Sequence, residues 1–225
     1  MRNGLYFIFR GRPAIKSACR LTCYDLKGAS GLGIIPVIVT NRLTLISLSV
    51  ECLHAMAIGD HEKAQEAVNF LIPRDCLLLR QPWIEHRIEM IARDSDQHPW
   101  MYRAIVRKSD NVMVGNISFH HKAPDPDLLE YSSYSAELGY TIDVGNREKG
   151  YAKESALAMM DWANLQNVDT FCLTISPQNI PSIRMAESMG FRKIAERIDE
   201  IDGLEYVYIA DIATIRHQRE RKKPS

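Results

Sequence analysis

One stretch of this 225-residue sequence decides the fold: Arg147-Glu148-Lys149-Gly150-Tyr151-Ala152. It joins a strand-like run over 137–142 (ELGYTI) to a helix-like run over 151–166. The first amides of a helix have no acceptor within the helix, and the helix dipole adds partial positive charge there. Arg147 and Lys149 add formal charge, and Gly150 permits close approach of a ligand. The stretch therefore predicts a binding site for a pyrophosphate.

The helix after this loop has small and flexible apolar residues at the spacing of a buried face. These residues are Ala152, Ala156, Met159, Met160 and Ala163. A β-branched, apolar run over 170–175 follows and predicts a buried strand. A second helix, roughly 180–189, begins after Asn179, a residue type that favours the N-cap position. The chain order of strand, loop, helix, strand and helix indicates an α/β protein.

Known sequence motifs distinguish the kinds of loop that bind a pyrophosphate. A Walker loop and a dinucleotide-binding GxGxxG turn are both absent. The R-x-x-G-x-A pattern of residues 147–152 resembles the acetyl-CoA loop of the GNAT superfamily of N-acyltransferases, (Q/R)-x-x-G-x-(G/A). Residues 179–191 resemble the second signature of that family, which runs from an Asn to a Gly-Phe pair. Residues 40–45 (TNRLTL) and 135–140 (SAELGY) resemble the branch that contains the ribosomal-protein N-terminal acetyltransferases.

The resemblance covers roughly residues 37–211 and implies a GNAT fold. This fold is α/β (α+β mixed), with a central mixed, mostly antiparallel sheet of about seven strands that is splayed at the middle and flanked by helices. The splay is expected between the strands at 137–142 and 170–175, where backbone groups are left free for acetyl-CoA. The expected acetyl-CoA contacts are Tyr140, Thr141, Ile142, Arg147, Glu148, Lys149, Gly150, Tyr151, Ala152 and Asn179. Within that set, the charge of Glu148 is unfavourable beside phosphate, so its side chain is expected to face solvent.

The resemblance also implies an enzyme, an acetyl-CoA-dependent N-acyltransferase that acts by direct attack of a primary amine. Glu137 is the candidate general base, with the alternative that it orients the acceptor or pairs with a cation. Many relatives have a tyrosine as the acid where this chain has Ala186, so Ser182 becomes the candidate proton donor. Unassisted departure of the thiolate stays open as well. No metal is implied.

Two other functions remain as alternatives. A catalytically silent acyl-CoA-binding or regulatory module would keep the same pyrophosphate loop. A nucleotide-binding protein is disfavoured by the missing phosphate motifs. The acceptor is expected to be a protein N-terminus or a small-molecule amine, and the sequence leaves monomer and homodimer open.

Composition limits the partners and the compartment. The chain has 28 basic and 28 acidic residues, so its formal net charge is zero, and nucleic acid is not expected as a partner. No apolar run reaches the ~18 residues of a membrane span, and no membrane is expected. Five cysteines, irregularly spaced, favour free thiols and a cytoplasmic protein. Cys19 and Cys23 have no second pair, which argues against a zinc site.

The sequence divides into three segments. Residues 1–36 are expected to be a poorly ordered extension, with a small family-specific cap as the alternative. Residues 37–211 form the predicted acetyltransferase domain. Residues 212–225 are expected to be a basic, solvated tail.

Overall fold

The computed structural model describes residues 20–22, 35–76, 78–79, 83–199 and 203–221. Its strands are β1 (Arg20–Thr22), β2 (Val37–Val39), β3 (Leu43–Ser47), β4 (Arg103–Arg107), β5 (Val112–Phe119), β6 (Ser135–Ile142), β7 (Thr170–Ile175), β8 (Arg192–Asp199) and β9 (Gly203–Asp211). Its α-helices are α1 (Val50–Ile58), α2 (His61–Glu66), α3 (Trp83–Arg93), α4 (Tyr151–Leu165), α5 (Ile180–Ser188) and α6 (Ile212–Arg221). Short 3-10 helices occupy Ser95–Trp100, Pro126–Leu128 and Val144–Asn146.

All nine described strands lie in one sheet, in the order β1-β2-β3-β4-β5-β6-β7-β9-β8. Only β6 and β7 are parallel, and every other neighbouring pair is antiparallel. The parallel pair is joined by α4, as a parallel connection requires. The predicted mixed, mostly antiparallel sheet flanked by helices is therefore confirmed. The sheet has more strands than the seven expected, because β1 and β2 extend the edge beside β3.

The sheet opens between β6 and β7. The two strands pair only where Ser135–Glu137 lies beside Thr170–Cys172. Beyond that point β6 stays paired with β5 as far as Ile142, while β7 stays paired with β9 as far as Ile175. The β5–β6 register is continuous, so the opening arises without a bulge between these two strands. The splay predicted at this seam is thus confirmed by the pairing.

Two hydrophobic cores hold the sheet, one on each face. The main core lies between the sheet and α4, and the stripe Ala156, Met159, Met160 and Ala163 is fully buried in it. The second core lies between the sheet and helices α1 to α3.

The C-terminal segment differs from the sequence-based expectation. Residues 212–221 are not a solvated tail but helix α6, whose Ile212 and Ile215 are buried in the main core. Arg216 donates to Asn164 Oδ1 and Arg219 donates to Asp161 Oδ2, both on α4. The basic residues therefore serve as contacts between α6 and α4.

The N-terminal expectation falls mostly outside the described residues. Within 1–36, the structure describes β1, which pairs with β2, and the two residues that precede β2. The poorly ordered extension stays a prediction, as do the domain limits. Asp202-Gly203 is a sequence signal for a hairpin turn, but residues 200–202 lie outside the description, as do residues 222–225.

Candidate active site

The predicted pyrophosphate loop leads directly into α4. Gly150 is the N-cap of this helix, with a left-handed φ of 78°, and it provides no side-chain cap. Glu148 is also left-handed, with φ at 60°, which is uncommon for a residue with a side chain. Arg147 Nε donates to Ile142 O at 3.1 Å, and Lys149 Nζ donates to Gly145 O at 2.8 Å. The loop is therefore exposed and leaves the helix N-terminus open to an anion.

Arg42, the residue before β3, is hydrogen-bonded to this loop and to α4. Glu154 on α4 accepts hydrogen bonds from Thr40 Oγ1 (2.6 Å), from the Arg42 amide (2.8 Å) and from Arg42 Nε (2.7 Å). Arg42 Nη1 in turn donates to Lys149 O at 2.9 Å. Burial acts to raise the pKa of Glu154, but these hydrogen bonds outweigh it and lower that pKa. A charged network thus ties the loop and the first turn of α4 to the sheet.

The opened part of β6 contains the predicted backbone contacts for acetyl-CoA. Tyr140 and Thr141 are partly exposed, whereas Ile142 is buried. All three pair with β5 on one side and lie beyond the last β7 pair on the other. An unpaired strand edge can bind an extended ligand through its backbone.

The side chain of Tyr140 reaches the candidate proton donor. Its hydroxyl donates to Ser182 Oγ at 3.0 Å, across the seam in the first turn of α5. Burial raises the pKa of the Tyr140 phenol, and the hydrogen bond with Ser182 offsets only part of this effect. The phenol therefore stays protonated at neutral pH. The sequence analysis assigned only the backbone of Tyr140, although strand alternation would have directed its side chain toward this face.

Two further residues of α5 are where the sequence placed them. Asn179 is the N-cap, and its side-chain oxygen accepts from Ser182 N at 3.3 Å. Ala186 is fully buried in the main core, so α5 provides no phenol at that position. The contact of Asn179 with acetyl-CoA stays a prediction.

Glu137 is a buried carboxylate surrounded by an imidazole, a guanidinium and a hydroxyl group. It is 2% exposed, and its Oε1 accepts a hydrogen bond from Thr174 on β7. Oε1 also lies 3.3 Å from His120 Nδ1 and 3.6 Å from Arg197 Nη2. Burial acts to raise the pKa of Glu137, but contacts with His120, Thr174 and Arg197 outweigh it and lower that pKa to about 2. A carboxylate with so low a pKa is a weak proton acceptor at neutral pH.

His120 is the residue that the sequence analysis did not select. The β5–β6 register pairs Phe119 with Leu138, so position 120 lies opposite Glu137, and the His120 amide donates to Glu137 O at 2.9 Å. Arg87 on α3 donates to His120 O and fixes the backbone from the other side. The two strands could have been aligned from sequence, but the ring contact depends on side-chain placement at a strand end.

The loop after His120 holds a cluster of potential cation ligands. Ligand atoms of His121, Asp125 and Asp127 lie within 4.8 Å of one another. However, the buried Asp125 uses its two oxygens on backbone amides, Oδ1 on Asp127 N at 3.1 Å and Oδ2 on Glu137 N at 3.4 Å. This carboxylate therefore fixes the loop against β6.

The fold and this site are typical of an acyltransferase, and comparison with known proteins supports this class. The acetyltransferase (GNAT) domain model matches residues 42–192, which is more than half of the chain. The protein belongs to the GNAT acetyltransferase family. Within the part of the chain that is described, no helix combines the length and apolar character needed to cross a membrane.

Three relatives illustrate the similarity. The uncharacterized N-acetyltransferase YjdG of Bacillus subtilis is 25% identical over 156 residues, covering 68% of this chain and 87% of YjdG. The uncharacterized N-acetyltransferase YnaD of the same organism is 24% identical over 90 residues, and this match covers 40% of this chain and about half (48%) of YnaD. The ribosomal-protein-S5-alanine acetyltransferase of Vibrio fischeri has a TM-score of 0.54 at 15% identity, covering 78% and 96% of the two chains.

Proposed function

We propose that this protein transfers an acetyl group from acetyl-CoA to a primary amine by direct attack, without a covalent enzyme intermediate. The observation that carries the proposal is the open seam between β6 and β7, which ends at the uncapped N-terminus of α4. The seam can hold an extended chain and the helix terminus can hold an anion. Together they match the pantetheine arm and the diphosphate of coenzyme A.

The proposed acetyl-CoA contacts divide along the length of the ligand. Residues 147–152 bind the diphosphate through backbone amides and through the charges of Arg147 and Lys149. The backbone of residues 140–142 and the side chain of Asn179 bind the pantetheine arm. Glu148 contributes only its backbone, because its carboxylate would repel phosphate.

The reaction requires a nucleophile, a stabilised oxyanion and a leaving group. The amine nitrogen attacks the thioester carbonyl carbon, a backbone amide of the opened strand stabilises the oxyanion, and the carbon–sulfur bond then breaks. The electron pair leaves with sulfur, and Ser182, which accepts a hydrogen bond from Tyr140, donates its own proton to the thiolate. The Tyr140 phenol then reprotonates Ser182, and the resulting phenolate takes up a proton from solvent before the next turnover. The pair together thus replaces the phenol that Ala186 does not supply.

The acceptor is a protein N-terminus or a small-molecule amine. The likeness to a ribosomal-protein acetyltransferase supports the first, as a matter of fold alone. Free, buried thiols at Cys52, Cys76 and Cys172 support a reducing compartment such as the cytoplasm.

The test combines binding and turnover. Calorimetry with acetyl-CoA, ATP and NAD should give heat only with acetyl-CoA, and Gly150→Trp should abolish that heat in a protein whose circular dichroism is unchanged. Thiol release should then appear with one or more members of a panel of peptides, polyamines, amino sugars and aminoglycosides. Binding without thiol release from any amine would support the silent acyl-CoA-binding module. A folded protein that gives no heat with acetyl-CoA would contradict both functions.

A further inference from the structure

We infer that His120 accepts the proton of the attacking amine through Nε2, and that Glu137 positions its ring. This inference rests on the proposed acetyl transfer and assigns the base of that same reaction. It replaces a direct role of Glu137 as base with an imidazole–carboxylate pair.

The imidazole ring of His120 is oriented with Nδ1 toward Glu137 and Nε2 toward the seam. Nδ1 faces the buried Glu137 carboxylate at 3.3 Å, so Nε2 points the opposite way. A Cβ added to Gly139 would lie 3.0 Å from Nε2, which places this nitrogen directly over the β6 backbone. Gly139 lies beyond the last β6–β7 pair, where the seam opens. Nε2 therefore reaches the part of the sheet where the thioester is proposed to lie.

The two nitrogens of the ring have different surroundings. A carboxylate beside Nδ1 favours the tautomer that has its proton on Nδ1, which leaves the lone pair on Nε2. Among the described residues, Nε2 makes no hydrogen bond, and the His120 side chain is 35% exposed. The acceptor nitrogen is thus free and can be reached by an amine from solvent.

Glu137 is fixed by groups other than its histidine neighbour. The Thr174 hydroxyl and the Arg197 guanidinium both approach Oε1 from β7 and β8. A carboxylate that is 2% exposed and bonded in this way orients a neighbouring ring better than it reaches a substrate. It also stabilises the imidazolium that forms when Nε2 gains a proton.

The proton that His120 releases to solvent balances the proton that Tyr140 takes up from solvent after Ser182 has protonated the thiolate. The amine loses one proton to Nε2 as its nitrogen bonds to the carbonyl carbon, and the carbon–sulfur pair leaves with the thiolate. The imidazolium then returns its proton to solvent before the next turnover. Histidine suits this exchange because its unperturbed pKa lies near neutrality.

Several charged groups surround the pair and contribute to its titration. Arg87 approaches from α3, Arg197 from β8 and Glu205 from β9, the last through Arg197 Nη2 at 3.1 Å. The loop that follows β5 adds three more, which are His121, Asp125 and Asp127. All of these groups are unchanged in the His120 and Glu137 variants below, and only the control variant changes one of them, His121.

The experiment measures kcat/KM for the best amine against pH in His120→Asn, with His121→Asn as the matched control. Asn keeps a donor toward Glu137 but lacks Nε2. We expect a fall on the order of 10²-fold or more, loss of the acidic limb of the profile, and partial rescue by added imidazole. Acetyl-CoA affinity should stay unchanged. His121→Asn should keep the wild-type rate and profile, because its ring faces Asp127.

Glu137→Gln provides the second variant, and it should lower the rate less than His120→Asn and shift the acidic limb without removing it. An acidic limb that persists in His120→Asn and vanishes in Glu137→Gln would overturn the inference and return the base to Glu137. A wild-type protein that binds acetyl-CoA and acetylates no amine would instead contradict the proposed function, before any variant is compared.

Discussion

Gly150→Ala isolates the backbone requirement of the pyrophosphate loop. Gly150 has φ of 78° and ψ of 8°, and a Cβ there would meet only Arg42 Nη2, at an ordinary contact distance of 3.4 Å. The cost of the substitution therefore comes from the left-handed backbone and not from a clash. For an L-residue this conformation costs ~1–2 kcal/mol.

Gly145→Ala is the matched control in the same loop. A Cβ at Gly145 would meet nothing within 4 Å, and its φ lies outside the left-handed region. Both substitutions reduce the conformational entropy of the unfolded chain by a similar amount, about 0.4–1 kcal/mol, so this contribution cancels between them. The free energies of unfolding of the two variants should therefore differ by ~1–2 kcal/mol, with Gly150→Ala the less stable.

Two measurements check this expectation. Thermal unfolding followed by circular dichroism should give Gly150→Ala the lower Tm, by about 2–4 °C for each kcal/mol in a domain of this size. Calorimetry should show roughly tenfold weaker acetyl-CoA binding for Gly150→Ala, about 1.4 kcal/mol, and no change for Gly145→Ala. Equal Tm values and equal affinities in the two variants would refute both the backbone argument and the assignment of the loop.

Three other predictions concern charge and backbone strain. Glu148→Gln should tighten acetyl-CoA binding roughly twofold by removing one charge. Glu148→Gly should also raise Tm slightly, because it relieves a left-handed φ of 60° that costs ~1–2 kcal/mol, while the greater entropy of the unfolded glycine chain offsets about 0.4–1 kcal/mol of this gain; equal Tm values for the two variants would argue against strain. Glu154→Gln should lower the free energy of unfolding, measured by urea denaturation, by about 1–2 kcal/mol. Glu89→Gln, which removes an exposed ion pair with Arg93, should lower it by less than ~0.5 kcal/mol. Similar losses in the two variants would show that the Glu154 network does not stabilise the fold. Glu137→Gln should lower the free energy of unfolding by about 3 kcal/mol at neutral pH. The difference between wild type and variant should shrink as pH falls from about 4.5 to about 2, because a lowered pKa stabilises the folded state only while the carboxylate is ionised. A difference that is constant with pH would contradict the ionised state of Glu137.

The central part of the fold could be predicted because its signals are local. The buried stripe of α4 follows from residue spacing, and the start of α5 follows from Asn179, whose cap needs only its own helix. The splay between β6 and β7 came from the resemblance to a family. No local pattern specifies it, since it depends on where two distant strands stop pairing.

Other features depend on contacts that a single segment does not encode. The basic residues of α6 favoured the prediction of a solvated tail. Ile212 and Ile215 lie at helical spacing, and this spacing is the signal that could have predicted the helix. His120 follows a strand and looks like a loop residue by sequence. Its proximity to Glu137 becomes evident only from the antiparallel register of β5 and β6.

The side chains of Glu137 and Tyr140 project to opposite faces of β6 because they are separated by an odd number of positions. The imidazole and the phenol therefore flank the seam from two sides, one above and one below the sheet. The acyl donor and the amine can then bind from opposite sides and occupy the enzyme at the same time. Steady-state rates for the acyl donor and the amine should then give intersecting double-reciprocal lines, the pattern of a ternary complex, and not the parallel lines of a ping-pong exchange.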